Sequence, residues 1–275
     1  MDGPRLTGPG GPVVRAPRGA VVDSGREMRL RLIGEFAVFV GARRLTGTEV
    51  GSRKARTLLA LLAVADGRLV HMDAAAEALW GERWPSRPGD NVATLVSRLR
   101  ATLDPGVVLG GRSGYRLGRH VRVDLWAARE LTGVAEGALA SDARRAMRLA
   151  GDAVRLVADA EVFPDATDAA WAEPARAARA DVLRRALHVT AAAALRRRRL
   201  PEARLAAQSA VAQDPFDEIA CRLLMRAYEL AGEPARALAA YERLRATLAE
   251  ELGIDPTPAT SALHVAILRS ATLTP

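Results

Sequence analysis

The amino-acid sequence predicts a mainly α-helical protein with a small β component in its first half. Three observations predict it. Period-two alternation of apolar residues marks short strands from Met28 to Val40, and two short apolar stretches around a Gly-rich loop mark a hairpin between residues 107 and 117. Three segments of helical period lie between those stretches. After Asp124 the strand signal ends, and Ala-, Leu- and Arg-rich helical periodicity runs almost to the end. Strands, three helices and a closing hairpin make the order of a winged helix-turn-helix, and an all-α domain follows it.

Residues 1–27 contain six Gly and four Pro and are expected to form a disordered arm. The stretches Met28-Arg-Leu-Arg-Leu-Ile-Gly and Glu35-Phe-Ala-Val-Phe-Val are two strands, and Gly41-Ala42-Arg43-Arg44 turns the chain toward a third near Leu45. Ser52 can N-cap a first helix in which Ala55, Leu58, Leu59 and Leu62 share a face, and Gly67 ends it. A second helix is expected to start at Asp73, whose carboxylate can accept from orphan amides, and to stop at Gly81 after Leu79 and Trp80. Pro85, Pro88 and Gly89 read as the connecting turn. The third helix covers residues 91–103, with Val92, Val96, Leu99 and Leu103 at buried-face spacing and Leu95 beside them. Residues 107–109 and 115–117 are short strands joined by a Gly-rich loop, 110–114, with a flexible tip. The expected winged-helix domain spans 28–123.

The expected second domain, 124–275, repeats. Tyr228, Ala237 and Tyr241 match part of the 34-residue tetratricopeptide pattern. One period earlier stand Ala203 and Ala207, with Pro215 where that repeat closes. Pro201 and Pro234 sit near helix starts, where a missing amide is harmless. Such helix pairs stack and expose a concave groove. Only one unit has both aromatics, so an irregular helical bundle is the alternative.

Charge divides the chain in the same place. Residues 1–124 hold 20 Lys+Arg against 12 Asp+Glu, whereas residues 125–275 hold 20 against 20. The whole +8 therefore lies in the first part, which suggests a basic domain that meets a polyanion. Codon bias explains 39 arginines and one lysine, Lys54, but not why acids balance them in one half alone.

Other functions find little support. No apolar run approaches the roughly 18 residues of a membrane span, and no signal-peptide core is present, so the cytoplasm is expected. Cys221, the only cysteine, reads as a small core residue among Ala220, Leu223 and Leu224. His71, His120, His188 and His264 lie far apart, without metal-ligand spacing. The Gly110–Gly114 stretch lacks the Lys-Ser/Thr ending of a phosphate loop. Trp80, Trp84, Trp126 and Trp171 read as packing anchors. No catalytic residue, metal or cofactor is expected.

Double-stranded DNA is the expected partner. Opposite its apolar stripe, the third helix presents Asn91, Thr94, Ser97, Arg98 and Ala101. Central Arg98 suits bidentate contact with guanine, Thr94 a thymine methyl or base edge, and Asn91 an adenine or a phosphate. Arg100 lies nearer the buried stripe and should reach sideways to phosphate, with Ser97 a second phosphate candidate. Arg53, Lys54 and Arg56 open the first helix, and Arg112 in the hairpin loop could enter the minor groove. Taken singly, Arg53 and Arg56 read as solvated charges. As a set on the charged domain, they favour DNA.

These residues also carry a resemblance. Leu79-Trp80-Gly81, Val96-Ser97-Arg98-Leu99-Arg100 and Gly114-Tyr115-Arg116-Leu117 resemble the winged helix of OmpR-type regulators. Val123-Asp124-Leu125-Trp126, Tyr228-Glu229-Leu230-Ala231-Gly232, Glu251-Leu252-Gly253-Ile254-Asp255-Pro256 and Leu263-His264 resemble the bacterial transcriptional activator domain. Together, over about residues 28–271, they resemble the Streptomyces antibiotic regulatory protein family. The resemblance implies an activator that binds direct repeats as head-to-tail protomers, a homodimer on DNA. It implies recruitment of RNA polymerase with its sigma factor, often at genes of secondary metabolism and antibiotic biosynthesis. It also implies base reading by Arg98 and phosphate contact by Arg100, while acidic Asp90 stands where a basic phosphate contact is common. A chain ending at 275 is similar to the small, single-module members, with no visible phosphorylation site. A repressor or ligand-gated regulator, and a scaffold whose winged helix binds proteins, are the alternatives.

Overall fold

The computed structural model describes residues 27–158 and 160–272. Apart from Glu27, the expected N-terminal arm lies outside the described residues. Strands β1 (Met28–Arg31), β2 (Ala37–Val40) and β3 (Arg43–Thr46) form an antiparallel meander. Its alternation works as expected in β1, where Met28 and Leu30 are buried while Arg29 is exposed. Helix α1 (Arg53–Val64) starts where Ser52 Oγ accepts from the Ala55 amide at 3.3 Å.

Three expectations need correction. Helix α2 (Met72–Trp80) begins ahead of Asp73, with His71 at the cap position. The two-residue strand β4 (Val70–His71) already holds His71 extended, so the helix starts at once, and Asp73 complements the first-turn charge without a capping bond. Helix α3 (Pro88–Thr102) takes Pro88 as its first residue, not as part of the turn, because a first-turn proline sacrifices no helical bond. The expected flexible Gly-rich loop is strand: β5 (Val108–Gly111) pairs with β6 (Gly114–Leu117), Gly111 faces Gly114, and only Arg112 and Ser113 turn. Strand β4 adds to the far edge of β6. A Cβ on Gly114, at φ +148°, would stand 2.4 Å from the Val70 carbonyl oxygen, so glycine is what lets β4 close on this hairpin.

Strand β7 (Val121–Val123) returns to pair in parallel with β1, giving the order β3-β2-β1-β7. It leads directly into α4 (Asp124–Ala138), followed by α5 (Ala143–Val157), α6 (Glu173–Arg196), α7 (Leu200–Gln213), α8 (Glu218–Leu230), α9 (Pro234–Leu252) and α10 (Pro258–Thr272). Consecutive helices pack side by side, and α4, α6, α8 and α10 also meet one after another. This is the tetratricopeptide-like stacking that the sequence repeat predicts. Ala203, Ala207 and Ala237 are fully buried where helices approach, and Tyr228 and Tyr241 are buried beside them. Pro201 and Pro234 stand in the first turns of α7 and α9. Among the described residues no helix is long and apolar enough to cross a membrane.

One hydrophobic core runs through both parts of the chain. At their junction Asp124 Oδ1 accepts from the Leu32 and Leu125 amides at 3.0 and 2.8 Å, and Oδ2 from the Ile33 amide at 3.1 Å. Burial pushes this carboxyl above the ordinary aspartate value, against the three amides and Arg31, which favour its charge. Trp126 Nε1 donates to the Ala63 carbonyl at 2.7 Å, and Phe163 meets Phe36 edge-on at 5.1 Å. Deeper in the helices, Asp217 caps α8 through the Ala220 amide and holds His188 of α6 at 2.5 Å.

Asp124→Ala leaves three backbone donors near the core without their acceptor, so urea unfolding should show a loss of about 2–3 kcal/mol. Asp217 gives a pH test. Burial would raise its carboxyl, but His188 and the Ala220 amide outweigh it and hold the group below the ordinary aspartate value. Its stabilisation is therefore fully present above that ordinary value and is lost as pH falls through the depressed one. The urea midpoint should drop below about pH 4, and Asp217→Asn should flatten the drop.

Candidate nucleic-acid interface

Helix α3 buries Val92, Leu95, Val96 and Leu99 against α1 and α2. Its spacing then forces Asn91, Thr94, Ser97, Arg98 and Ala101 outward, and all five are exposed. Among the described residues Arg98 has no hydrogen-bond or ion-pair partner. Thr94 Oγ1 donates to the Asp90 carbonyl at 2.9 Å, which uses its proton within the helix and leaves its methyl outward. Asn91 is the fourth helical residue, and its amide already bonds the Arg87 carbonyl at 3.2 Å. Exposed Asp90 puts a negative charge in the same first turn.

Arg100 reaches sideways, as its position predicts, but to backbone. Its Nε donates to the Val108 carbonyl at 2.9 Å and an Nη to the Gly110 carbonyl at 3.3 Å. Half-buried, it is a strut between α3 and the wing, the β5–β6 hairpin. At the wing tip Arg112 is exposed. Arg53 and Lys54 are exposed in the first turn of α1, and Lys54 Nζ sits 4.8 Å from the Trp80 ring centroid, where α2 ends. Arg56 leaves this surface: it donates to the Gly51 carbonyl at 3.0 Å and pairs with Asp165 at 3.5 Å. The structure thus gathers Asn91, Thr94, Ser97 and Arg98 on one face, sets Lys54 and Arg112 on other elements, and turns Arg100 inward.

The turn between α2 and α3 was missed as a functional candidate. Arg83, Trp84 and Arg87 are all exposed there, and Trp84 is 44% exposed, so it is not a packing anchor. Its Nε1 donates to Glu77 at 3.3 Å. The flanking Pro85 and Pro88 were the available signal, since they hold this segment at the surface.

Among the described residues no group of three or more His, Cys, Asp or Glu could hold a metal ion. Burial pushes the Cys221 thiol up to about 11, and its Sγ lies 3.6 Å from the Ala240 carbonyl oxygen. His264 stacks on Tyr241 with centroids 3.9 Å apart.

Residues 123–268 match the family described as the bacterial transcriptional activator domain. The chain is 32% identical over 277 residues to the regulatory protein AfsR of Streptomyces coelicolor, covering 98% of this chain and 27% of that protein. It is 34% identical over 242 residues to the transcriptional regulatory protein EmbR of Mycobacterium tuberculosis, covering 83% of this chain and 61% of EmbR. A solved structure of M. tuberculosis EmbR in complex with a low affinity phosphopeptide matches with a TM-score of 0.76 at 30% identity. That match covers 89% of this chain and 65% of the EmbR chain. The chain therefore spans about a quarter of AfsR and under two thirds of EmbR.

Arg100→Ala removes the strut, so amide hydrogens of the wing should exchange faster, by a factor matching about 1 kcal/mol for a hydrogen bond lost from a partly solvated site. Unchanged exchange between residues 108 and 117 would show that the wing holds its place without Arg100.

Proposed function

Because the chain belongs to the family of Streptomyces antibiotic regulatory protein (SARP)-type regulators built on a bacterial transcriptional activator domain, we propose that it is a sequence-specific DNA-binding activator of transcription. The observation that carries this reading is the exposed face of α3. There Arg98 stands without a partner, on the part of the chain that holds all the net charge. Residues 28–123 bind DNA in this reading, and residues 124–275 make the protein contacts.

With α3 in the major groove, Arg98 pairs with a guanine edge, while Thr94 offers its methyl to thymine and Asn91 reaches an adenine. Ser97, Arg53 and Lys54 hold phosphates, and Arg112 enters the neighbouring minor groove from the wing tip. Arg100 has unused N–H donors for a phosphate, but its first task is to fix the wing. Two copies would sit on direct repeats beside a promoter and recruit RNA polymerase through its sigma factor. The targets would include genes of secondary metabolism. This is binding chemistry, and the chain's family is one of regulators, not enzymes.

A retardation assay on genomic fragments should yield a specific, salt-sensitive complex. Arg98→Ala should weaken it by about 1–3 kcal/mol and relax base preference at one position. A variant with full affinity and selectivity would sink the assignment. Replacing Lys54 or Arg53 by Ala should weaken binding on all sequences alike and lower the salt slope by about 1 each. Absence of any specific complex would favour a protein-binding scaffold instead.

A further inference from the structure

A second basic feature lies away from α3. A cleft of about 860 Å³ opens between the end of α1, the β6–β7 segment and α4, within the roughly 300–1,000 Å³ common for small-ligand sites. Arginines 68, 116, 119, 122 and 129 line it, with Asp66 and Glu130 as the only acids and Trp126 in its wall. Arg129 is already committed: it pairs with Asp66 at 2.6 Å and lies 4.5 Å over the Trp126 ring. Arg68 bonds only its own turn, through the Ala65 carbonyl at 3.1 Å. Among the described residues the guanidinium groups of Arg116, Arg119 and Arg122 have no hydrogen-bond or ion-pair partner.

Four arginines thus face one remaining carboxylate, Glu130, inside a concave surface. Like charges gathered in a cleft repel one another, and a bound anion relieves that repulsion. Guanidinium forks match phosphate oxygens two at a time, so several around one concavity suit a run of phosphates better than a single carboxylate. Elsewhere on this protein arginines pair with acids within a helical turn, as Arg176 does with Glu173 and Arg245 with Glu242. Among the described residues Arg116, Arg119 and Arg122 have no such neighbour, so three unpaired guanidinium groups meet within one cleft.

We propose that the cleft binds a small oligophosphate anion between the β6–β7 segment and α4. Arg116 belongs to β6, the strand that carries the wing, and Arg129 and Trp126 belong to the first helix of the activator-type domain. The anion therefore ties the wing strand to that helix. Arg98 does not line the cleft, so this site stands or falls apart from the reading of α3.

The test is calorimetric titration of the full chain, without DNA, using tripolyphosphate at about 0.15 M background salt, where weak surface attraction is largely screened. Saturable one-to-one binding is expected, weakened at least about tenfold in Arg119→Gln/Arg122→Gln, that is by about 1.4 kcal/mol. Both side chains are exposed, so this variant should fold, and Arg116→Gln gives an independent second measurement. Arg98→Ala should bind tripolyphosphate as the unaltered chain does. No saturable binding, or binding indifferent to these substitutions, overturns the proposal. So does a result in which the Gln variants only flatten the salt dependence of DNA binding, since the arginines would then serve the DNA backbone.

Discussion

Three backbone amides converge on the carboxylate of Asp124, and the relation between the two parts of the chain depends on them. Two of those amides leave β1, and the third belongs to the start of α4. The preceding residues lie in β7, paired with β1. One side chain therefore fastens the entry of the helical stack to the first strand of the chain. Around it, Phe163 donates its amide to Leu32, Gly34 donates to Glu161, and the two phenylalanine rings close the gap between. Nothing here is a linker. The core continues through the junction, so α4 cannot reorient without breaking bonds in the sheet.

The same rigidity reaches the exposed face of α3. Trp126 of α4 holds the last turn of α1, and α1 is one of the two helices on which α3 rests. Arg98 and Arg100 are two residues apart, yet their surroundings separate them completely. One points to solvent without a partner among the described residues, and the other gives two of its N–H donors to carbonyls of β5. An arginine suits the second position because its planar fork spans two acceptors that a lysine ammonium would meet as a point charge. The wing is thereby held twice, by Arg100 on one strand and by the close approach of β4 at Gly114 on the other.

Much of this was legible in the sequence because local rules decide it. Alternation located β1 and β2, Ser52 announced α1, and the apolar stripe of α3 set which side chains face outward. The misses have physical reasons too. Gly110, Gly111 and Gly114 carry no side chain to alternate, so strand residues read as loop. Strand β4 is two residues long and gives no period at all. That β7 returns to β1 depends on pairing across some ninety residues, which no local pattern encodes. Periodicity could say that Arg100 leans toward the buried side, but not that Val108 and Gly110 wait there. Trp84 reads as a packing anchor in the sequence, yet it sits in the turn between α2 and α3 and is exposed.

Lys54 is the only lysine of the 275 residues, and its ammonium rests against the indole of Trp80. Every other cation among the Lys and Arg side chains is a guanidinium, which acetyl transfer to lysine does not touch. Enzymatic or metabolic acylation of lysine therefore has a single address on this chain, at the start of α1 beside the end of α2. There it would erase one charge and one cation–π contact together, while leaving the arginine surface as it was.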